Sequence, residues 1–230
     1  MKYKCIFFDL DHTLWDYEAN ARETLIDLYH HFGLKTKGVD SVDDFYYKFK
    51  EVNEQLWLLY DSGKIDSQVI RKDRFRIILE AFHAYEEQLS DDLSHEYLHA
   101  CPEKQNLMPE ALDTLHYLSG RYNLTVITNG FEEIQNRKLT AGKLHHFFGH
   151  IITSQRAGHR KPAREIFEYA LKVNNIRPHE AIMVGDNLIT DIGGARNASI
   201  DTAFFNPERV THEERVNYEI RALGELCQLL

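Results

Sequence analysis

The chain has 230 residues and a formal net charge of −9, with 43% hydrophobic and 27% charged residues. That length can bury a sizeable core, as one large domain or a domain with an insertion, and the composition excludes disordered and fibrous classes. The acidic balance argues against the electrostatic grip of a protein that binds nucleic-acid polymers, yet leaves room for a small anion held by local charges.

Three cysteines, Cys5, Cys101 and Cys227, are scattered without CxxC spacing, which reads as reduced thiols rather than a disulfide or zinc framework. The apolar run at the N-terminus meets Asp9 too soon for a signal peptide, and no long apolar segment follows. The expectation is a soluble, cytoplasmic protein with no membrane partner.

Short apolar runs bounded by turn residues predict buried strands at 4–8, 124–128, 151–153, 181–184 and 202–205. Helical stretches at 132–143, 163–174 and 188–198 alternate with the later strands. This alternation predicts an α/β fold with a doubly wound parallel sheet. The interval 15–102 breaks the rhythm. Phe45, Phe49, Val52, Leu56 and Leu59 recur at helical spacing, as do Phe75, Ile78, Phe82 and Tyr85, with Ser62-Gly63 as a turn between them. Such an interval is far longer than an ordinary βαβ connection. It predicts an all-helical cap domain, residues 15–102, inserted into an α/β catalytic core of residues 1–14 and 103–230.

Polar groups cluster just past the predicted strand ends. FFDLDHT delivers Asp9 and Asp11, VITNG delivers Thr128, Asn129 and Gly130, and VGDNLITD delivers Asp186 and Asp191. In open α/β sheets ligands bind outside the carboxyl ends of the strands, so these groups can converge. Asp9, Asp11 and Asp186 together need a cation: at an effective dielectric of about 20, two like charges 4 Å apart repel by roughly 4 kcal/mol. Oxygen-only ligands suit Mg²⁺, and with His12 alone nearby zinc fits poorly. A phosphate would complete the site. The Thr128 hydroxyl and the Asn129 and Gly130 N–H groups can seat an anion, and Lys161, placed before Pro162 at a helix entrance, can neutralise it.

In this order the residues resemble the haloacid dehalogenase-like hydrolase superfamily. Asp9-Leu10-Asp11-His12-Thr13 matches DxDx[TV], Thr128 the strand-end Thr or Ser, Lys161-Pro162 the Lys motif, and Gly185-Asp186 with Asp191 the GDxxxxD motif. The resemblance implies that Asp9 is the nucleophile, forming an aspartyl-phosphate, and that Asp11 protonates the leaving oxygen and then deprotonates water. It implies Mg²⁺ held by the Asp9 carboxylate, the Asp11 main-chain carbonyl and Asp186, supported by Asp191, with Thr128 and Lys161 stabilising the transferring phosphoryl group. An acid at position 11 suits an alkoxide leaving group, whereas halide departs without a proton, so the resemblance implies a phosphatase. His12 stands where Gly is frequent and requires a left-handed backbone that His tolerates. Asn187 and Ala163-Arg164 also depart from the usual wording.

The stretches FDLDHTLWD and VITNGF, with the long helical insertion, look most like the pyrimidine 5′-nucleotidase branch, whose substrates are small phosphorylated metabolites of the nucleoside 5′-monophosphate class. The alternatives are a sugar phosphomutase of the β-phosphoglucomutase type and another small-metabolite phosphatase, such as one for phosphoglycolate. Asp11 and the metal-site aspartates argue against a dehalogenase, and the presence of Asp9, Asp11 and Lys161 argues against a non-catalytic binding module. Trp15, Asp16 and Tyr17 directly follow the catalytic loop and are candidate substrate contacts, with Asn20 and Arg22 behind them. Arg71 and Arg74 read as ion pairs on a solvated cap face. The histidines around 145–159 and at 30–31 read as surface residues, and Cys5 as buried and inert. Oligomeric state is not legible in the sequence.

Overall fold

The apolar runs become a six-stranded sheet. The computed structural model describes residues 2–230, with strands β1 (Cys5–Phe8), β2 (Asn123–Thr128), β3 (His150–Thr153), β4 (Ala181–Gly185), β5 (Asp201–Phe205) and β6 (Tyr218–Ile220). All neighbours are parallel, in the order β3-β2-β1-β4-β5-β6. β6 is the strand the sequence reading lacks; it is held at the edge by pairing such as Phe205 with Ile220. The chain moves outward from β1 through β2 to β3, then returns across β1 to lay down β4. The strand order therefore reverses between β1 and β4, and a crevice opens at their carboxyl ends.

Both faces of the sheet are covered. Cys5, Phe7, Ile127, Ile152 and Met183 join one buried cluster, while Ile6, Phe8, Val126, Ile182 and Val184 alternate with them and are buried as well. Burial on both sides explains why these strands read as continuous apolar runs.

The chain divides into two compact units, one drawn from the segment up to Tyr17 and from Gln105 onward, the other from Glu18 to Lys104. The second unit is helical, containing most of α1 (Tyr17–His31) and all of α2 (Val42–Asp61), α3 (Ser67–Ala81) and α4 (Glu87–Ala100). Ser41 caps α2 by accepting from the Asp44 N–H, and Asp66 caps α3 by accepting from Gln68 and Val69. Phe45, Phe49, Val52 and Leu56 form the buried stripe of α2. Their rings pack with those of α3 and α4: Phe45 lies 6.3 Å and Phe49 5.8 Å from Phe75, and Phe49 lies 4.9 Å from Tyr97. α3 stops at Ala81 and His83 adopts φ +54°, so Tyr85, expected on its stripe, falls beyond the helix and is exposed. Arg74 is a second departure. It reads as a solvated helix residue, yet it is buried, 4% exposed.

In the α/β unit follow α5 (Ala111–Ser119), α6 (Glu132–Ala141), α7 (Ser154–Ala157) and α8 (Arg164–Val173). Leu188–Gly193 forms a π-helical turn, with the Ile192 N–H donating five residues back to the Asn187 carbonyl. The Asn187 side chain caps it through the N–H groups of Ile189 and Thr190. Among the described residues no helix is long and apolar enough to cross a membrane.

Candidate active site

At the end of β1 the Asp9 N–H still donates to the Val184 carbonyl, extending the sheet by one residue. The chain then turns sharply. His12 takes φ +63°, and the N–H groups of Leu14 and Trp15 both return to the Leu10 carbonyl. This loop sends the two aspartates to different partners.

Asp9 faces Lys161, whose Nζ lies 2.5 Å from Asp9 Oδ1 and 2.6 Å from Asp191 Oδ1. Asp186 accepts from the Thr13 hydroxyl at 3.1 Å. Asp9, Asp186 and Asp191 each offer an oxygen within 4.8 Å of the others. Two buried carboxylates thus share one ammonium, with the half-buried Asp186 beside them. Burial pushes the Asp9 carboxyl up to about 7, with Asp191 adding to the rise and Lys161 opposing it. Burial, reinforced by Asp9, lifts Asp186 to about 6, and burial likewise raises Asp191. Burial alone would lower the Lys161 ammonium, but Asp191 and Asp9 hold it above its ordinary value. The cluster remains short of positive charge, and its donors are all hard oxygens. That donor set fits a divalent cation such as Mg²⁺.

Asp11 turns the other way, toward α6. Lys138 Nζ lies 2.5 Å from Asp11 Oδ1, and Gln135 Nε2 donates to Asp11 Oδ2 at 2.9 Å. Burial would raise this carboxyl, but the Lys138 ammonium and the two hydrogen bonds hold it below the usual carboxylate range. Lys138 itself lies against two rings, 4.4 Å from the Trp15 ring centre and 5.4 Å from that of Tyr17. Gln135 Nε2 also donates to Thr128 Oγ1 at 2.7 Å, and the Gly130 N–H donates to the same oxygen at 3.1 Å. Accepting twice, Thr128 keeps its own O–H as a donor. Gly130 is what lets Gln135 approach: a Cβ there would fall 2.0 Å from Gln135 Nε2.

Lys161 is expected at a helix entrance, but α8 begins only at Arg164. Its placement comes from Asn129 instead. The Asn129 amide donates to the Lys161 carbonyl at 2.9 Å and its Oδ1 accepts from the Lys161 N–H at 2.8 Å. A two-bond clamp from the end of β2 therefore fixes the lysine backbone. Asp191 is seated by the Asn187 N–H at 3.1 Å and by the missing side chain of Gly185, where a Cβ would fall 2.3 Å from Asp191 Oδ2.

The model of one known family, described as haloacid dehalogenase-like hydrolase, matches residues 3–199. The chain belongs to the haloacid dehalogenase-like hydrolases. A HAD-hydrolase of Bacillus subtilis, YfnB, is 28% identical over 232 residues, spanning 100% of this chain and 96% of its own. The pyrimidine 5′-nucleotidase YjjG of Escherichia coli is 29% identical over 238 residues, spanning 100% and 99%. A glyceraldehyde 3-phosphate phosphatase of Methanothermobacter thermautotrophicus is 28% identical over 237 residues, spanning 98% and 97%. The crystal structure of YfnB bound to magnesium superposes with a TM-score of 0.89 at 27% identity, covering 100% of this chain and 99% of that one.

Within this hydrolase the site contains residues that sequence reasoning missed. Gln135 and Lys138 lie three apart on α6, directly after the Thr128 strand end, and that spacing puts both on one helix face. Trp15, expected at the substrate, is fully buried in the α/β unit, with its ring against Lys138. Tyr17 is half-buried beside His12, their ring centres 5.0 Å apart, and the Asp16 N–H donates to the Asn106 carbonyl. Arg22 pairs with Asp43 in the helical unit. Among the described residues, the group of three or more ionisable side chains placed to hold an ion is Asp9, Asp186 and Asp191. His30, His31, His145, His146, His150 and His159 are exposed.

Proposed function

We propose that this hydrolase is a Mg²⁺-dependent phosphomonoesterase working through an aspartyl-phosphate on Asp9, with pyrimidine nucleoside 5′-monophosphates as its preferred substrates. The observation that carries the reading is the separate pairing of the two loop carboxylates, Asp9 with Lys161 and Asp11 with Lys138. One is equipped to meet phosphorus and the other to handle protons.

In the first step an Asp9 oxygen bonds to phosphorus while the ester P–O bond breaks, and the departing oxygen takes its proton from Asp11. In the second, water attacks the same phosphorus and gives its proton to Asp11, and the Asp9–phosphorus bond breaks to release inorganic phosphate. Lys138 holds Asp11 ionised, the form that accepts the water proton. The protonated form that serves the leaving group requires the carboxyl to turn away from that ammonium. The Thr128 O–H and the Lys161 ammonium would bind the phosphoryl oxygens. Asp9, the Asp11 carbonyl and Asp186 would hold Mg²⁺, backed by Asp191, and the ion would offset charge on the carboxylates and phosphoryl group.

We read the helical unit, expected over residues 15–102 and bounded in the structure by Glu18 and Lys104, as the cap that selects the leaving group, and three free cysteines accord with a cytoplasmic setting. The name of YjjG supports a nucleotide substrate. A second reading, hydrolysis of a sugar phosphate, is supported by the name of the archaeal relative and leaves the chemistry at Asp9 unchanged. The test is inorganic phosphate release from UMP, dUMP, dTMP, AMP, phosphoglycolate, glucose 1-phosphate and an aryl phosphate, with Mg²⁺ and with EDTA. Mg²⁺-dependent release favouring pyrimidine monophosphates is expected. Release favouring a sugar phosphate overturns the substrate, and turnover retained in Asp9→Asn overturns the mechanism.

A further inference from the structure

Arg74 is a buried cation that the phosphatase chemistry leaves unexplained. It sits on α3 inside the helical unit, 4% exposed. Its guanidinium carbon lies 4.5 Å from the ring centre of Tyr97, 5.1 Å from Phe49 and 5.6 Å from Phe75. Nη1 donates to Asn53 Oδ1 at 2.9 Å, and Asn53 is itself buried. Among the described residues no carboxylate pairs with it. The acids next to it on the helix serve another cation: Asp73 and Glu80 both pair with Arg76.

The unused part of Arg74 has a definite shape. Nε is buried and has no hydrogen-bond partner. Nη2 also makes no hydrogen bond, but it is not sealed from solvent. Nε and Nη2 form the side-on edge of a guanidinium, two parallel donors matched to two oxygens of one carboxylate or phosphate group. Asn53 occupies the opposite end, while the three rings pack around the guanidinium and attract the cation. A neutral amide at position 53 supplies a hydrogen bond without a counter-charge. An aspartate of nearly the same shape would have neutralised the arginine.

We propose that the helical unit carries its own oxyanion site, in which the Nε–Nη2 edge of Arg74 takes a carboxylate or phosphate group. That group comes from a free anion, for which inorganic phosphate is the probe, and the readout depends neither on turnover nor on the ester proposed above.

The test is the ¹⁵N–¹H spectrum of the arginine Nε–H groups in the intact protein, with the Arg74 resonance assigned by its loss in Arg74→Lys. Titration with inorganic phosphate and with acetate should shift that resonance saturably. In Asn53→Asp, where an internal carboxylate competes for the cation, binding should weaken at least about tenfold. If the Arg74 resonance stays still while those of exposed arginines already respond, the site does not exist and Arg74 is packing alone. A resonance that binds equally well in Asn53→Asp would tell against the charge argument.

Discussion

Lys161 and Arg74 are both buried cations, one in each unit of the chain, and their surroundings are opposite in sign. Lys161 touches two carboxylates, at 2.5 and 2.6 Å, with Asp186 beside them. Arg74 touches an amide and three aromatic rings. Burying an ion is costly unless it is compensated. The first place therefore has negative charge to spare and the second has positive charge to spare. Charge balance, taken locally, names what each would accept: a metal cation and a phosphoryl group in one, an oxyanion in the other.

The comparison breaks most sharply at Lys161. Lys161→Met should lower Mg²⁺-dependent phosphate release by about 10²–10³-fold, the loss expected for one fixed charge-stabilising donor. Release within a factor of about two of the unaltered protein would show that the ammonium does not meet the transferring group. Lys138→Met tests the third buried cation, which has one carboxylate to itself. We expect turnover to fall by about tenfold or more, toward the range of a disturbed general acid–base. The acid limb of the pH–rate profile should move upward, because Asp11 loses the cation that holds its carboxyl low.

In the helical unit, Asn53→Ala removes the one hydrogen bond of Arg74 and should cost about 1–3 kcal/mol in urea unfolding. The smallest effect is a slope. In EDTA, Asp9 and Asp186 hold protons in the folded state up to about 7 and about 6, but release them near 3.8 when unfolded. Folding is then favoured at low pH, and this contribution fades as pH rises through 6 and 7. Melting temperature should fall between about pH 5 and about pH 8, and saturating Mg²⁺ should flatten the fall. A slope of the same size in Asp9→Asn would remove Asp9 from this account.

The sheet and the strand-end polar groups were legible because buried parallel strands are short, apolar on both sides, and end where the polar groups begin. Tyr218–Ile220 gave no such signal: three residues with Glu219 in the middle carry neither a run nor an alternation that can be counted. The acidic residues were readable as a set, but which of them share a space was not. Asp11 lies two residues from Asp9, yet it pairs with α6 because the left-handed turn at His12 reorients the loop. Lys138 and Arg74 escaped for one reason. A cation in a helical pattern reads as solvent-facing, and only tertiary packing shows that Trp15 covers one and Phe49 and Tyr97 enclose the other. Asn129 was placed at the site as a backbone donor, whereas the structure shows its side chain clamping Lys161 across 32 residues of sequence.

Gly185 contributes no reactive group, no charge and no side-chain hydrogen bond, and still shapes the surroundings of Asp9, the proposed nucleophile. The space beyond its α-carbon is filled by the Asp191 carboxylate, which shares Lys161 with Asp9. An alanine there would displace Asp191, hand the whole ammonium to Asp9 and lower the proton affinity of that carboxylate. The reactivity of this site is thus adjustable from a position where the working part is a single hydrogen atom.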